Sequence, residues 1–238
     1  VYISVTIAKK EVTVEWGETT LTYNGTSQAP TATLNGVVTG DDVKASIVGH
    51  QTSVGSNFTA TATLSGEKKE NYVIAGDNTT TYSIIPSGVD DYIVPTANEN
   101  LIYNGSDQEL VTAGVAGTIE GHFEYALGED GDFGEIIPKA TDAKTYKVGY
   151  KFVPDDKDNF ASSEPVFISV EIAKLERSLK WSDTVLVYNG QEQKPTAILK
   201  NVLEGDVVSV IVDGAQKKVK TGYIATATEL SGTDAKNY

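Results

Sequence analysis

Residues 57–66 read NFTATATLSG, and they give the clearest indication of the fold class. The apolar residues from Phe58 to Leu64 alternate with three threonines, so an extended chain places all of them on one face. A helix would scatter the same side chains around its circumference. The stretch therefore predicts a β-strand with one buried face.

Six further runs of the same character surround this strand. They are rich in Thr, Val, Ile and Tyr, and Gly, Asn, Asp or Pro separates each from the next. The runs are EVTVEW (11–16), TLTYNG (20–25), PTATLNG (30–36), DDVKASIVG (41–49), NYVIAG (71–76) and TTTYSII (79–85). No window sustains a helical period with caps. Seven short strands with frequent turns predict an all-β module, most simply a β-sandwich.

The same pattern recurs along the chain. VYISVTIAK (1–9) returns as VFISVEIAK (166–174), and a weaker copy headed by Tyr103-Asn104-Gly105 lies between the two. The repeated pairs are Trp16 and Trp181, Tyr23-Asn24-Gly25 and Tyr188-Asn189-Gly190, Gly40-Asp41 and Gly205-Asp206, and Asn71-Tyr72 and Asn237-Tyr238. An extra residue near Glu229 shifts the register before the last pair. Self-similarity on this scale predicts tandem modules.

These repeats predict three modules in an elongated array. Module 1 (9–86) and module 3 (175–238) are of a short type, and module 2 (87–174) is longer because it carries a hairpin of residues 123–127 and 133–137. Residues 1–8 correspond to the last strand of a preceding module, and module 3 lacks its own last strand. The chain is thus expected to be a piece of a longer protein. No Gly/Ser-rich or Pro-rich linker separates the modules, so we expect short, stiff joints.

Aromatic residues occupy many of the repeated positions, which we interpret as structural. Trp16 and Trp181 occupy the same position in the repeat. Core packing is the favoured explanation for both, and stacking on a sugar is the alternative. Each Tyr-Asn-Gly predicts an anchored tyrosine beside an exposed turn. The structural repeat positions are Trp16, Tyr23, Phe58, Tyr72, Tyr103, Tyr146, Phe160, Trp181, Tyr188 and Tyr223.

Composition and net charge reduce the number of function classes that suit the chain. The net charge of −14 disfavours binding to nucleic acid, and no apolar run is long enough to span a membrane. Most of the excess acid falls in module 2, where a solvated surface is the simplest explanation. The absence of cysteine means that core burial, or some other crosslink, must stabilise each module.

Residues suited to chemistry are few. His50 and His122 fall in different modules and neither recurs, so we expect no enzyme activity and no cofactor. Asp130, Asp132 and Glu135 alternate with glycines and are weak candidates for calcium ligands, with a plain polar hairpin tip as the favoured alternative.

A Lys–Asn crosslink is a further possibility that the pattern leaves open. Lysines recur at Lys9 and Lys174, and asparagines recur at Asn71, Asn159 and Asn237. No buried acid is evident at a repeated position beside them, and Asn before an aromatic residue is also a good signal for a turn into a strand.

The motifs resemble a known family. YNG, then Q-x-PTA, then GD, then TATATLSG or ATATELSG and N-Y, are similar to the tandem bacterial Ig-like repeats of MBG type, found in cell-surface proteins of mainly Gram-positive bacteria. Module 2 resembles a sister module that is interleaved with them. A weaker likeness, to the tyrosine corner of immunoglobulin domains, covers Asp142 and Tyr146. The resemblance implies Ig-like sandwich modules, with β-grasp-like modules as the alternative, at the cell surface or in the cell wall.

The expected function is that of a non-enzymatic stalk or spacer in an adhesin-like protein. The alternatives are a module that binds a glycan or a host protein and, less favoured, an accessory module of a glycosidase. Residues 1–7 are a free strand and module 3 is one strand short, so head-to-tail strand pairing between chains is a further possible partnership.

Overall fold

The computed structural model describes residues 1–238 and contains no α-helix. The chain is an all-β protein of several small sheets. Its only helical segments are two single 3-10 turns, Lys69–Asn71 and Ala235–Asn237. Neither has the length and hydropathy that a membrane crossing requires.

Contacts between Cα atoms divide the chain into two compact units. The first unit consists of Val1–Asp91, Thr118–Gly121 and Val153–Ser163, and the second of Tyr92–Gly117, His122–Phe152 and Glu164–Tyr238. We keep the names module 1, module 2 and module 3 for the predicted ranges, whose boundaries stay predictions.

Module 1 contains all seven predicted strands. They are β1 (Lys10–Trp16), β2 (Thr20–Thr22), β3 (Ala32–Asn35), β4 (Lys44–Val48), β5 (Gly55–Ser65), β6 (Tyr72–Ile74) and β7 (Thr79–Ile85). They form one sheet of order β3-β1-β6 and another of order β2-β7-β5-β4. In the second sheet, β7 runs parallel to β2 and antiparallel to β5.

The alternation of apolar residues and threonines in β5 buries one face of the strand, as predicted. Ala60 and Ala62 are fully buried, whereas Thr59 and Thr63 are exposed. One core cluster is built on Val12, Val43 and Tyr72, and a second on Ala60, Tyr82 and Ile84. Burial of these alternating apolar side chains is the main source of stability in a chain without disulfides.

Module 2 contains ten strands. They are β8 (Ser87–Gly88), β9 (Tyr92–Ile93), β10 (Leu101–Ile102), β11 (Gln108–Glu109), β12 (Val115–Ala116), β13 (Gly121–Leu127), β14 (Lys139–Ala140), β15 (Thr145–Pro154), β16 (Phe160–Ala161) and β17 (Val166–Ala173). The largest sheet has the order β10-β17-β15-β13. Its core contains a triangle of rings, Tyr92, Phe123 and Phe152, whose centroids are 5.0–5.4 Å apart.

The hairpin predicted in module 2 is only half right. Its first half is the strand β13, but residues 133–137 form no strand. A single bridge joins Tyr125 to Gly134, and Ile136 is 84% exposed. Pro138, which has no backbone N–H, follows directly, so the ladder cannot extend through it.

Module 3 has fewer strands than module 1. They are β18 (Leu179–Ser182), β19 (Thr196–Leu199), β20 (Ser209–Asp213) and β21 (Thr226–Ser231). The extra residue near Glu229 is accommodated by a bulge, because Ile211 pairs with Glu229 whereas Val212 pairs with Ala227. The insertion read from the sequence therefore disturbs one position of the ladder and leaves the rest in register.

Candidate inter-module interface

The three Tyr-Asn-Gly motifs form the same turn. In each, the Asn side-chain oxygen accepts a hydrogen bond of 2.9 Å from the backbone N–H two residues later. The glycines Gly25, Gly105 and Gly190 have φ of 75°, 76° and 80°, which favours a residue without a Cβ. The turn is confirmed in all three copies, with the glycine rather than the asparagine taking the positive φ. The prediction of an anchored tyrosine is wrong for the third copy, because Tyr188 is 61% exposed.

The tyrosine of module 1 contacts an aromatic ring of module 2 within the first unit. Tyr23 is half-buried and meets the Phe160 ring edge-on, with centroids 5.5 Å apart and planes at 86°. Its backbone N–H donates to the carbonyl of Ile85 at 2.9 Å, which fixes the motif to the end of β7. Edge-on aromatic pairs of this kind contribute beyond simple area burial.

The tyrosine of module 2 makes the corresponding contact with module 3 within the second unit. Tyr103 is 4% exposed and meets the Tyr238 ring edge-on at 5.8 Å. Both hydroxyls donate to the Asp206 carboxylate, from Tyr103 at 3.0 Å and from Tyr238 at 2.7 Å. Burial, reinforced by this carboxylate, raises the pKa of Tyr103 to about 12, so the neutral phenol is strongly favoured.

A buried amide lies beside this pair. Asn237 is fully buried, and its Oδ1 accepts a hydrogen bond from the backbone N–H of Ala143 at 2.8 Å. Its Nδ2 donates to Asp142 at 3.2 Å, and the same carboxylate accepts from Lys236 at 2.6 Å. Chiefly because of Lys236, the pKa of Asp142 is lowered, and the pKa of Lys236 is raised by the same interaction. Two residues of module 3 thus bind one loop of module 2.

The hydrogen bonds of the tyrosine hydroxyl to an aspartate and to a backbone N–H also occur within module 1. The Tyr72 hydroxyl donates to Asp41 at 2.6 Å and accepts from the N–H of Val38 at 3.2 Å. In module 3, Tyr238 bonds in the same way to Asp206 and to the N–H of Leu203. The repeated Asn-Tyr motif therefore supplies the donor, and the repeated Gly-Asp motif the acceptor, of one recurring hydrogen bond. Sequence reasoning missed the pairing, although the joint recurrence of the two motifs was a signal for it.

Burial of the two repeated asparagines differs. Asn71 is exposed, whereas its counterpart Asn237 is fully buried by the loop of module 2. We call the contacts of Tyr103, Asp142, Asp206, Asn237 and Tyr238 the joint cluster. It brings together the repeated Tyr103 and the repeated pair Asn237-Tyr238, and it adds two carboxylates whose role at the joint the sequence did not predict.

Four of the other seven predicted repeat positions make structural contacts, and three are exposed. Trp16 and Phe58 pack on the Tyr82 core cluster, and Tyr72 belongs to the other cluster of module 1. The Tyr146 hydroxyl donates to the carbonyl of Asp142 at 2.8 Å, which confirms the predicted corner. The remaining three, Trp181, Tyr188 and Tyr223, are exposed by 37%, 61% and 39% and lie along a groove in module 3.

The calcium candidates do not form a ligand set. No group of three or more His, Asp or Glu side chains is arranged to hold a metal ion, so Asp130, Asp132 and Glu135 are not gathered around one point. Glu135 instead lies 3.8 Å from His122. The Glu135 side chain is 75% exposed, and a contact at such a solvated position contributes little to stability.

The crosslink candidates have separate partners. The Lys174 ammonium donates to the backbone carbonyl of Tyr238 at 3.0 Å, while the Asn237 amide bonds to Ala143 and Asp142. Lys9 lies 3.9 Å from Glu70 and forms an exposed ion pair. The contacts of both lysines are non-covalent, and the crosslink stays an untested possibility.

No family model, no curated protein and no solved structure matches the chain. The resemblance to MBG-type repeats therefore stays an expectation drawn from the motifs.

Proposed function

We propose that this chain is a non-enzymatic spacer region of a bacterial cell-surface protein, built from tandem Ig-like sandwich modules of MBG type. The all-β fold and the two-sheet arrangement of module 1 are consistent with such modules. The acidic surface favours solubility and suppresses association between neighbouring spacers.

The observation that carries the proposal is the recurrence of one contact at successive joints. Tyr23 meets Phe160, and Tyr103 meets Tyr238, each through the tyrosine of a Tyr-Asn-Gly motif and the aromatic residue after an asparagine. A spacer needs joints of fixed geometry, because a flexible linker reduces the mean distance between its ends. A contact repeated at each joint provides that geometry with a small set of residues.

Spin-label distances across the joint cluster test the proposal. The chain has no cysteine, so Asp130→Cys and Lys200→Cys, both on exposed residues of the second unit, place one label in module 2 and one in module 3. We expect a single narrow distance distribution. Adding Tyr103→Ala and Asp142→Ala is expected to broaden it, whereas the matched substitution Asn71→Ala, in the exposed counterpart of Asn237, leaves it narrow. A broad distribution in the otherwise unsubstituted chain would exclude a stiff joint.

A binding panel separates the spacer from the alternative of a ligand-binding module. The full chain is immobilised and exposed to glycans and to host matrix proteins. A spacer is expected to give no saturable response. Saturable binding that survives a change in salt concentration would favour the alternative, because purely electrostatic attraction to an acidic chain is screened.

A further inference from the structure

The asparagines of the three Tyr-Asn-Gly turns are exposed, and each is followed by a glycine. Asn24, Asn104 and Asn189 are all accessible to water. The glycine after each has no side chain to hinder its backbone nitrogen, and none of these three glycine N–H groups donates a hydrogen bond within the protein. A backbone nitrogen that is free to react and the side-chain amide carbon of the preceding residue are the two reactants of intramolecular deamidation, and the chain itself holds them close together.

The hydrogen bonds of the turn act on the oxygen of the same side-chain amide. In each turn, Oδ1 of the asparagine accepts a hydrogen bond of 2.9 Å from the backbone N–H two residues later. When the glycine nitrogen adds to Cγ, negative charge develops on Oδ1. A donor that is already in place at this oxygen stabilises the charge without any rearrangement of the turn. The turn therefore favours the reaction as well as supplying its reactants.

The first turn has a donor that the other two lack. Oδ1 of Asn24 also accepts a hydrogen bond of 2.7 Å from the hydroxyl of Thr26. Ser106 occupies the same position in the second turn but donates to its asparagine only through the backbone N–H. The third turn has Gln191 at this position, which also donates only through its backbone N–H. Asn24 is therefore the asparagine whose amide is most strongly activated.

We propose that Asn24 is a site of self-catalysed deamidation, activated by the N–H and the hydroxyl of Thr26, and that it reacts faster than Asn104 and Asn189. The Gly25 nitrogen gives up its proton to solvent and forms a bond to Cγ of Asn24. The bond from Cγ to Nδ2 breaks, and Nδ2 leaves as ammonia with a proton taken from solvent. This chemistry is independent of the spacer role.

Water then opens the cyclic imide that the attack produces. Addition of water at Cγ leaves an aspartate, whereas addition at the main-chain carbonyl leaves an isoaspartate. In isoaspartate the main chain passes through Cβ and Cγ and is therefore longer by one atom. Neither step needs an oxidant, a reductant or any reactant other than water.

The extra atom of isoaspartate would lie in a loop whose two ends are fixed. The backbone N–H of Tyr23 donates to the carbonyl of Ile85 at 2.9 Å, and that of Gln28 donates to the carbonyl of Gln51 at 2.8 Å. The longer chain has to be accommodated between these two points. We therefore expect isoaspartate at position 24 to displace the Tyr23 ring from its edge-on contact and to lower the melting temperature of the chain.

Peptide mapping of the full chain, incubated at mildly alkaline pH, measures the rate at each of the three asparagines. We expect Asn24 to be converted about two- to tenfold faster than Asn104 or Asn189, a factor that corresponds to one exposed neutral hydrogen bond. In concentrated urea the three rates should become similar, because each site is then the same Asn-Gly dipeptide without its turn. A faster reaction of Asn24 in the native chain alone would thus be an effect of the fold.

Substitutions of the residue two positions after the asparagine separate the hydroxyl from the rest of the turn. Thr26→Val keeps the backbone N–H and the branched shape but removes the hydroxyl, so conversion of Asn24 should slow to the rate at Asn104. Thr26→Ser retains a hydroxyl and should restore the fast rate. The matched control is Ser106→Ala, which removes a hydroxyl that makes no bond to Asn104 and should leave the rate there unchanged. Asn104 also serves as an internal reference in both Thr26 variants.

Three results would overturn the proposal. Equal rates at the three sites of the native chain would show that the turn of Asn24 is not special. Faster conversion of Asn24 in Thr26→Val would mean that the hydroxyl restrains the amide instead of activating it. The same order of rates in urea would assign the difference to the local sequence instead of the fold. For the structural consequence, the isolated isoaspartate form should melt below the unmodified chain, and an unchanged melting temperature would contradict the displacement of Tyr23.

Discussion

At the scale of single residues, Asn237 is the clearest case of a side chain that the joint requires. Its amide is fully buried, and its counterpart Asn71 is exposed. Asn237→Ala leaves the N–H of Ala143 without its acceptor and removes a donor from Asp142. We expect a loss of about 1–3 kcal/mol in the free energy of unfolding, measured by urea denaturation. Asn71→Ala is the control and should change it by less than about 0.5 kcal/mol.

The joint cluster also predicts a dependence on pH at both extremes. The pKa of Asp142 is lowered by Lys236, so its contribution to stability is present above the ordinary value of 3.8 and is lost as the pH falls through the folded pKa. The pKa of Tyr103 is raised to about 12, so its contribution is present below the ordinary value of 10.0 and is lost as the pH rises toward 12. Unfolding free energies over this range are expected to fall less steeply in acid for Asp142→Asn and less steeply in alkali for Tyr103→Phe. Profiles identical to that of the unsubstituted chain would show that neither group titrates differently in the folded protein.

At the scale of elements, a glycine fixes the approach of two neighbouring strands. Gly49 follows β4 with φ of 93°, and an added Cβ would lie 2.2 Å from the carbonyl oxygen of Thr59 in β5. Gly40 has a similar φ of 95°, but an added Cβ would meet nothing within 4 Å. Gly40→Ala therefore measures the backbone cost alone, about 1–2 kcal/mol.

Gly49→Ala adds a steric clash to the same backbone cost. We expect thermal denaturation to show a loss at least about 1 kcal/mol larger than for Gly40→Ala, because β4 and β5 must separate to make room. The carbonyl of Gly49 also accepts the hydrogen bond of Tyr82, so this shift should disturb the end of β7 as well. Equal losses in the two variants would mean that the strands adjust freely.

The elements differ in how far the sequence could predict them. The seven strands of module 1 followed from alternation and turn residues, because each strand has one buried face. The second half of the hairpin predicted in module 2 was wrong, since residues 133–137 include a glycine and directly precede Pro138. The local sequence pattern indicates which residues are buried and which form turns. It does not indicate whether a neighbouring strand is available for pairing.

The candidate interface was less predictable than the strands. The repeated Tyr103 and Asn237 were visible as repeats, but their partners Asp206 and Asp142 come from distant parts of the chain. One of those carboxylates lies in a repeated Gly-Asp motif and the other in a loop that occurs only once. Contacts between modules depend on how two folded surfaces meet. The local alternation of apolar and polar residues holds no information about this.

At the scale of the whole molecule, local stability should be lowest where a strand lacks its neighbours. Residues 214–225 of module 3 contain no strand and include Lys217, Lys218 and Lys220, all exposed. In module 1 the corresponding chain enters β5, which pairs with both β4 and β7. Proteases cleave segments that open locally, and opening is easiest where few backbone hydrogen bonds and apolar contacts oppose it.

Limited trypsin digestion followed by mass spectrometry measures this order of opening. We expect the first cuts after Lys217, Lys218 or Lys220. The matched control is Ser53→Lys, which introduces a trypsin site at the exposed counterpart of Lys218 in module 1 and should be cleaved there much later. First cuts at the introduced site of that variant, or after Lys68 and Lys69 of the unsubstituted chain, would contradict a weak point in module 3.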